Sequence, residues 1–282
     1  MNHPFFSVII PVYNRSNIVV TAIASVLNQT YTNFELIVVD DFSTDDTLLS
    51  ISALQHPQLR ILSNQHQKGA CGARNTGVDA ANGQWIAFLD SDDYFHPNKL
   101  MVMHETIGNH PQYQVFYSAF TRDHFNTQTI KLECTGFSGS HTAILPFKNV
   151  VRGLSVLVVE KQLLHSVGGL DEHFLARQDI DLYYRLSKHT DFYFVPTPLL
   201  HITIAENNRI SLNEQKRLQG WLQFYQKYAA TFSAKAHVYQ AKRIVHFCLK
   251  QRRYKEIAHY TLIYIHFKVK NVFQKNIVNN HS

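Results

Sequence analysis

Cysteine is scarce in this chain of 282 residues: Cys71, Cys134 and Cys248 lie far apart, at no metal-binding spacing. An odd, sparse set argues against a disulfide framework and for a reducing compartment. No uninterrupted apolar run approaches the roughly 20 residues that a membrane-spanning helix needs. No basic segment with a cleavage site precedes Phe5-Phe6-Ser7-Val8-Ile9-Ile10, so no signal peptide is expected. The first apolar run is followed by neither a Gly-x-Gly-x-x-Gly nor a P-loop, which argues against a dinucleotide reductase and a P-loop ATPase. Internal repeats and low-complexity segments are also missing. Acidic residues are scarce in one region only. Residues 212–282 hold 13 Lys/Arg against Glu214 and Glu256, a net of +11, whereas residues 1–211 carry a net of −5. The overall +6 therefore belongs to the tail. A mildly acidic body suits a metal-dependent site better than a nucleic-acid groove, and no nucleic-acid partner is expected.

Hydrophobic content of 45% is ample for a core. Ser7-Val8-Ile9-Ile10-Pro11 reads as a first strand, Asn17 to Asn28 as a helix, and Phe34 to Val39 as a second strand ending in Asp40-Asp41. Ser43-Thr44-Asp45-Asp46 is a cap signal for a helix through Leu54. Leu59 to Leu62 is a third strand; Gly69 to Gly72 reads as a loop and Ala73 to Ala81 as a helix closed by Asn82-Gly83. Gln84 to Leu89 is a further strand. Alternating strands and helices imply βαβ units and a largely parallel sheet, an α/β fold. Beyond Pro97, Val115 to Phe120 reads as a strand and residues 121–150 as polar and irregular, a candidate acceptor-side loop. Leu154 to Val159 is a strand or the entry to the short helix Glu160 to Val167. Asp179 to Lys188 is helical, Phe192 to Val195 is the last clear strand, and the text from about Leu212 is helical and basic.

Asp90-Ser91-Asp92-Asp93 stands at the end of the apolar run Gln84 to Leu89. Three carboxylates there are costly unless something positive joins them. A hard divalent cation is the natural candidate, because such ions take carboxylate oxygens and can in turn hold a diphosphate. The same aspartates can instead cap a helix starting within Asp93-Tyr94-Phe95-His96-Pro97. Two other strand ends carry polar groups, Pro11-Val12-Tyr13-Asn14-Arg15 and Asp40-Asp41. Ligands bind beyond the carboxyl ends of strands in open α/β sheets, so the three clusters can converge on one crevice.

With these segments in order, the sequence resembles the family 2 glycosyltransferases, nucleotide-sugar-dependent enzymes of the GT-A fold. The matching text is Val8 to Asn14, Ser25 to Glu35, Val38 to Thr47, Gly72 to Gly77 and Gly83 to Asp93. The resemblance is dense over about residues 5–100 and looser over 150–200. It implies a GT-A catalytic domain over residues 1–211, with a nucleotide-binding half of about 1–100 and an acceptor half of about 101–211. Residues 212–282 would form a basic helical extension. It also implies roles. Pro11 and Tyr13 line the nucleobase pocket, with Tyr13 stacking or merely packing its loop. Arg15 and Ser91 accompany the nucleotide. Asp41 accepts from the ring N–H of the base, which favours uracil, while Asp40 is a structural cap. Arg74 meets the diphosphate or makes a surface ion pair. Asp92 ligates Mn²⁺ or Mg²⁺, Asp90 lies near the ribose, and Asp93 is a weaker ligand candidate.

The second matching segment is Gly168-Gly169-Leu170-Asp171-Glu172, then Gln178-Asp179-Ile180-Asp181. By resemblance Asp179 is the general base that deprotonates the acceptor hydroxyl, or else an N-cap. Where the family has Glu before this Asp, the chain has Gln178. Removing that neighbouring charge should lower the pKa of Asp179. The family's metal-ligating histidine aligns better with Ala205 than with His201, which reads as a strand residue. The implied activity is a metal-dependent, inverting transfer of a hexosyl or N-acetylhexosaminyl group from a UDP-sugar to a glycan or glycolipid acceptor. The implied setting is bacterial surface polysaccharide or lipopolysaccharide biosynthesis at the cytoplasmic face. A non-catalytic nucleotide-sugar-binding protein and a nucleotidyltransferase are the rival readings. In the tail, aromatic and basic residues interleave on helices that suit either an anionic membrane surface or a helical subdomain with a solvated charged face.

Overall fold

The structure, a computed structural model, describes residues 3–124, 129–203 and 213–279. Every residue of β1 (Phe6–Val12) and β2 (Phe34–Asp40) is buried. That is why both read as continuous apolar runs rather than alternating ones: helices cover both faces of a parallel sheet. β1 pairs in parallel with β2, Phe6 opposite Phe34 and Val12 opposite Asp40. On its other side β1 pairs in parallel with β4 (Trp85–Phe88), and β2 pairs in parallel with β3 (Leu59–Ser63). The connections are α1 (Val19–Leu27), α2 (Thr47–Ser52) and α3 (Ala70–Ala80). α3 lies close on β1: a Cβ added at Gly77 would stand 2.5 Å from Ile9 Cγ2, so only glycine permits the approach.

The sheet continues through β5 (Asp93–Phe95), β6 (Val115–His124), β8 (Leu157–Glu160) and β9 (Phe192–Ile202), in the order β3-β2-β1-β4-β8-β6-β9-β5. β7 (Thr129–Glu133) folds back on β6 at its edge. β8 runs antiparallel to β4 and β6, and β5 antiparallel to β9. α4 (Lys99–Asn109), α5 (Lys161–Ser166) and α6 (Gln178–Leu186) complete this part of the chain. Gly168 and Gly169 end α5 at positive φ, with their N–H groups donating to the carbonyls of His165 and Leu164.

Four local expectations are corrected. α3 begins at Ala70, not Ala73, and Gly72 lies inside it because a Cβ there would meet Gln67 O at 1.9 Å. Asp93 to Pro97 starts no helix. Asp93 and Phe95 are buried and pair with Ile202 and Leu200, so the segment is a short strand. The stretch beyond residue 120 is not irregular throughout, since β6 runs to His124 and pairs with β7. β9 extends to Ile202, seven residues past Val195, where β5 and β6 flank it.

Contacts divide the chain into two units. The first comprises Met1–His141, Val150–Glu172 and Leu182–Glu206; the second comprises Thr142–Asn149, His173–Asp181 and Asn207–Ser282. The second unit is built on α7 (Glu214–Tyr228), α8 (Ala234–Lys250) and α9 (Tyr254–Asn279). Its core gathers Leu218, Trp221, Leu222, Tyr225, Ile244, Phe247 and Tyr260. The shorter segments are tied to it. Asp181, fully buried, accepts from Lys227 Nζ at 2.8 Å and Tyr228 OH at 2.6 Å, and the Gln240 amide donates to Pro146 O.

Candidate active site

The C-terminal ends of β3, β2, β1 and β4 lie along one edge of the sheet, and the polar strand ends gather there. Asp41 N donates to Val12 O at 2.8 Å, Asn64 N to Asp40 O at 2.9 Å, and Leu89 N to Ile9 O at 3.0 Å. These bonds carry the strand pairing one residue into the loops. Asn14 and Phe42 take positive φ, which turns both loops sharply. Asn14 N donates to Ser43 Oγ and Arg15 N to Thr47 Oγ1, so the two loops brace each other. Pro11 is buried inside β1 opposite Val39.

Asp40 and Asp41 divide their work. The Asp40 carboxylate accepts from Ser43 N and holds the turn. Asp41 is buried, and Asn64 Nδ2 at 2.7 Å and Gly69 N at 3.0 Å both donate to its Oδ1. Its Oδ2 takes no partner among the described residues. Asn64 is fixed in turn by Thr76 Oγ1, which donates to its Oδ1. Tyr13 is 44% exposed, and the Lys68 ammonium lies 4.7 Å above its ring. The aromatic face is thus presented, with a cation resting on it.

Asp90, Asp92 and Asp93 each bring a carboxylate oxygen within 4.8 Å of the others. A single cation with oxygen ligands at about 2.1–2.6 Å can bridge that spacing. Asp90 and Asp93 are tied to neighbouring elements. Arg74, buried on α3, pairs with Asp90 Oδ1. Burial opposes the Arg74 charge, but Asp90, with smaller contributions from Cys71 and Tyr183, holds the guanidinium above its ordinary value. Arg74 Nε is buried with no hydrogen-bond partner. Asp93 Oδ2 accepts from Ser155 Oγ at 3.0 Å, and the same hydroxyl accepts from Asp90 N at 3.0 Å. Behind it, the fully buried Lys99 donates from Nζ to Ser155 O at 2.6 Å and lies 4.0 Å from the Phe95 ring centre. Burial pushes the Lys99 ammonium down to about 7, against the pull of Asp93. The donor set is all oxygen, as a hard divalent cation requires.

The Gly168-Gly169 turn is clamped to α3. Asn75 Oδ1 accepts from Leu170 N at 2.9 Å, while its Nδ2 donates to Leu170 O and to Glu172 Oε1. A Cβ at Gly169 would come 2.8 Å from Asn75 Oδ1. Glu172 also accepts from Gln67 N at 3.0 Å and faces His66 Nδ1 at 2.9 Å. Hydrogen bonding to Asp79, then the charge of Glu172, raise the His66 pKa against burial.

In the second unit, Asp179 sits in the first turn of α6 and accepts from Asn149 Nδ2 at 2.7 Å. Burial raises its pKa; the Ile180 N–H, Arg177 and Asn149 act the other way and only partly offset it. The lowering expected from Gln178 is therefore outweighed by desolvation. Arg177, at positive φ, stacks its guanidinium 3.6 Å from the Trp221 ring centre, and burial lowers its pKa to about 10.

His201 lies in β9, buried, stacked on Tyr94 at 4.5 Å and paired with Asp123 through Nε2 at 2.6 Å and with Thr121 through Nδ1 at 2.8 Å. Nδ1 is hydrogen-bonded, whereas Nε2 lies close to Asp123 Oδ2 without the geometry of a hydrogen bond. The aligned position Ala205 and the 211/212 boundary lie outside the described residues. Sequence reasoning passed over Asn64, Lys68, Lys99, Asn149 and Ser155. Asn64 ends a strand, a signal that was available; the others act through partners distant in sequence.

Residues 7–154, more than half of the chain, match Glycosyl transferase family 2. The Escherichia coli UDP-Glc:alpha-D-GlcNAc-diphosphoundecaprenol beta-1,3-glucosyltransferase WfgD is 45% identical over 100 residues, 36% of this chain. The match spans only 40% of that relative's own length. A protein of Escherichia coli K12 assigned provisionally as the colanic acid biosynthesis glycosyl transferase WcaA is 29% identical over 279 residues, 93% of each chain. The crystal structure of S. aureus TarS 1–349 in complex with UDP-GlcNAc superposes with a TM-score of 0.64 at 17% identity, covering 94% of this chain and 92% of that one. The fold is GT-A. Among the described residues, no helix is long and apolar enough to cross a membrane.

Proposed function

Because the chain belongs to the family 2 glycosyltransferases, we propose that it moves a hexosyl or N-acetylhexosaminyl group from a UDP-sugar to a hydroxyl of a lipid-linked glycan, with inversion, during surface polysaccharide assembly. The observation that carries this reading is the sheet edge itself, where Asp41, Arg74 and the Asp90–Asp93 cluster stand together. The names of the relatives support the donor and acceptor classes, since WfgD is a UDP-Glc transferase acting on a diphosphoundecaprenol-linked sugar. Residues 1–211 serve as the catalytic domain and 212–282 as its helical extension, working at the cytoplasmic face of the membrane.

In this mechanism Asp41 accepts the uracil ring N–H through Oδ2, and Tyr13 beneath Lys68 stacks on the base, with Pro11 and Arg15 shaping the pocket. Asp90 and Ser91 meet the ribose. Asp92 would hold Mn²⁺ or Mg²⁺, which when bound would supply positive charge for a leaving diphosphate. Arg74 donates charge-assisted hydrogen bonds to the same group, and its unpaired Nε is available for them. Asp179 takes the proton from the acceptor hydroxyl. The freed oxygen attacks the anomeric carbon from the face opposite the diphosphate, the bond to the diphosphate oxygen breaks, and UDP leaves. A raised carboxyl pKa makes Asp179 a stronger base for this step.

The test is UDP release from a panel of UDP-sugars, with Mn²⁺ and with chelator, with undecaprenyl-diphosphate-linked acceptors present. Metal-dependent turnover of one donor is the expected result. Absence of UDP binding under every metal condition overturns the nucleotide assignment.

A further inference from the structure

α9 is apolar on two opposite sides, and the protein covers only one of them. Tyr260 lies in the core of the helical unit, with Ile257, Ile263 and Tyr264 packed against it, and Phe267 stacks on His237 at 3.7 Å. The other side carries Tyr254, Leu262, Ile265 and Val269, which are 72, 68, 52 and 49% exposed. With 3.6 residues per turn, these four and the exposed Ala258 fall within an arc of about 80°. Lys255, His259, His266 and Lys270 project along one border of the arc and Lys268 along the other. All five are exposed. The only acid on the helix is Glu256, which is paired with Arg253.

An apolar strip of this length left open on a helix marks an interaction surface. Its borders say what kind. A second copy of the chain laid face to face would bring lysines against lysines with no acid to answer them. A layer that is apolar inside and anionic at its surface satisfies both the strip and its borders. We propose that α9 lies in the interface of an anionic bilayer, with Tyr254, Ala258, Leu262, Ile265 and Val269 among the acyl chains and the lysines at the headgroups. Leu249 at the end of α8, also exposed, adds a further apolar side chain just before α9. The inference rests on the reading of a lipid-linked acceptor for its purpose, but its test needs no donor, acceptor or metal.

The test is flotation of the full chain with phosphatidylcholine vesicles, with and without phosphatidylglycerol. The expected result is binding to the anionic vesicles only, weakened by salt. The double variant Leu262→Glu/Ile265→Glu and the triple variant Lys255→Glu/Lys268→Glu/Lys270→Glu should each bind about tenfold or more weakly. Both replace exposed residues, so circular dichroism and thermal melting should stay as in the wild type. UDP release with a soluble acceptor should also be unchanged, which separates failure of this inference from failure of the proposed activity. Wild type that ignores anionic vesicles, or variants that float like wild type, overturn it. So does a concentration-dependent dimer that disappears in the double variant, because a second copy is then the occupant.

Discussion

Asp41 offers a substitution that separates support of the fold from reading of the base. Its two structural hydrogen bonds, from Asn64 Nδ2 and Gly69 N, fall on the same oxygen, Oδ1. In Asp41→Asn the amide oxygen can keep both bonds while the other position becomes an NH₂. Folding should therefore survive, with a thermal midpoint near that of the wild type. The base contact should invert. Uracil presents a ring N–H, which would now face a donor, whereas cytosine presents a ring nitrogen that accepts. Loss of one hydrogen bond to a charged group costs about 1.5–3 kcal/mol. At 1.4 kcal/mol per decade, UDP should bind about 10- to 150-fold more weakly. CDP should lose nothing and gain where UDP loses. Calorimetric titration of both nucleotides, with Mn²⁺ present, reads the switch directly. If the variant folds and binds UDP as tightly as wild type, Asp41 does not read the base and the pocket assignment is wrong.

Asp92→Asn should abolish metal-dependent UDP release while leaving the melting curve nearly unchanged; undiminished turnover in the variant would remove Asp92 from the metal site. Burial raises the Asp179 pKa, and the base must be ionised to act, so activity should rise with pH through a value above the ordinary carboxylate range of about 3.9. Asn149→Ala removes a bond to the carboxylate and should move that acidic limb of kcat/KM to higher pH; a limb that stays put would deny the contact its role. Asp181→Ala strips a buried carboxylate from Lys227 and Tyr228 and should cost about 3 kcal/mol, the low end for a broken buried pair because Lys227 is one-third exposed. Denaturant unfolding measures this, and a loss below that of Tyr228→Phe would show the pair to be inconsequential.

The donor half was legible because its chemistry is local in sequence. β1, β2 and β4 announce themselves as continuous apolar runs, and each polar cluster follows its strand directly, so the parallel sheet and the gathering of the polar strand ends were both expected. The start of α3 was missed because Gly69 to Gly72 looks like a loop, yet Gly72 is there for the carbonyl of Gln67 rather than for flexibility. β5 was missed because Asp93 and Phe95 owe their strand geometry to β9, more than 100 residues away. Shorter separations, of 65 and 62 residues for Ser155, whose hydroxyl links Asp90 N to Asp93, and 30 for Asn149, whose amide reaches Asp179, hid these partners too. The direction of the Asp179 shift was also out of reach: a neighbour in sequence suggested one sign, and burial, which only the fold reveals, imposed the other.

The two groups of carboxylates are handled in opposite ways, and the contrast bears on their chemistry. Three aspartates crowded within 4.8 Å would repel one another strongly in a half-buried setting. The fold sets the charged Arg74 against Asp90, places Lys99, whose charge burial opposes, behind Asp93, and ties the loop through Ser155. The cluster is therefore partly compensated by the protein's own groups. Asp179 is compensated only in part. Arg177, whose charge favours the carboxylate, is held over Trp221, and the side chain that donates to Asp179 is a neutral amide. A carboxylate left short of charge partners binds a proton more readily, which is a cost to the folded state above its pKa and an advantage to a general base. Placing compensated carboxylates at the sheet edge and an undercompensated one on α6 fits a division of labour between holding charge and moving a proton.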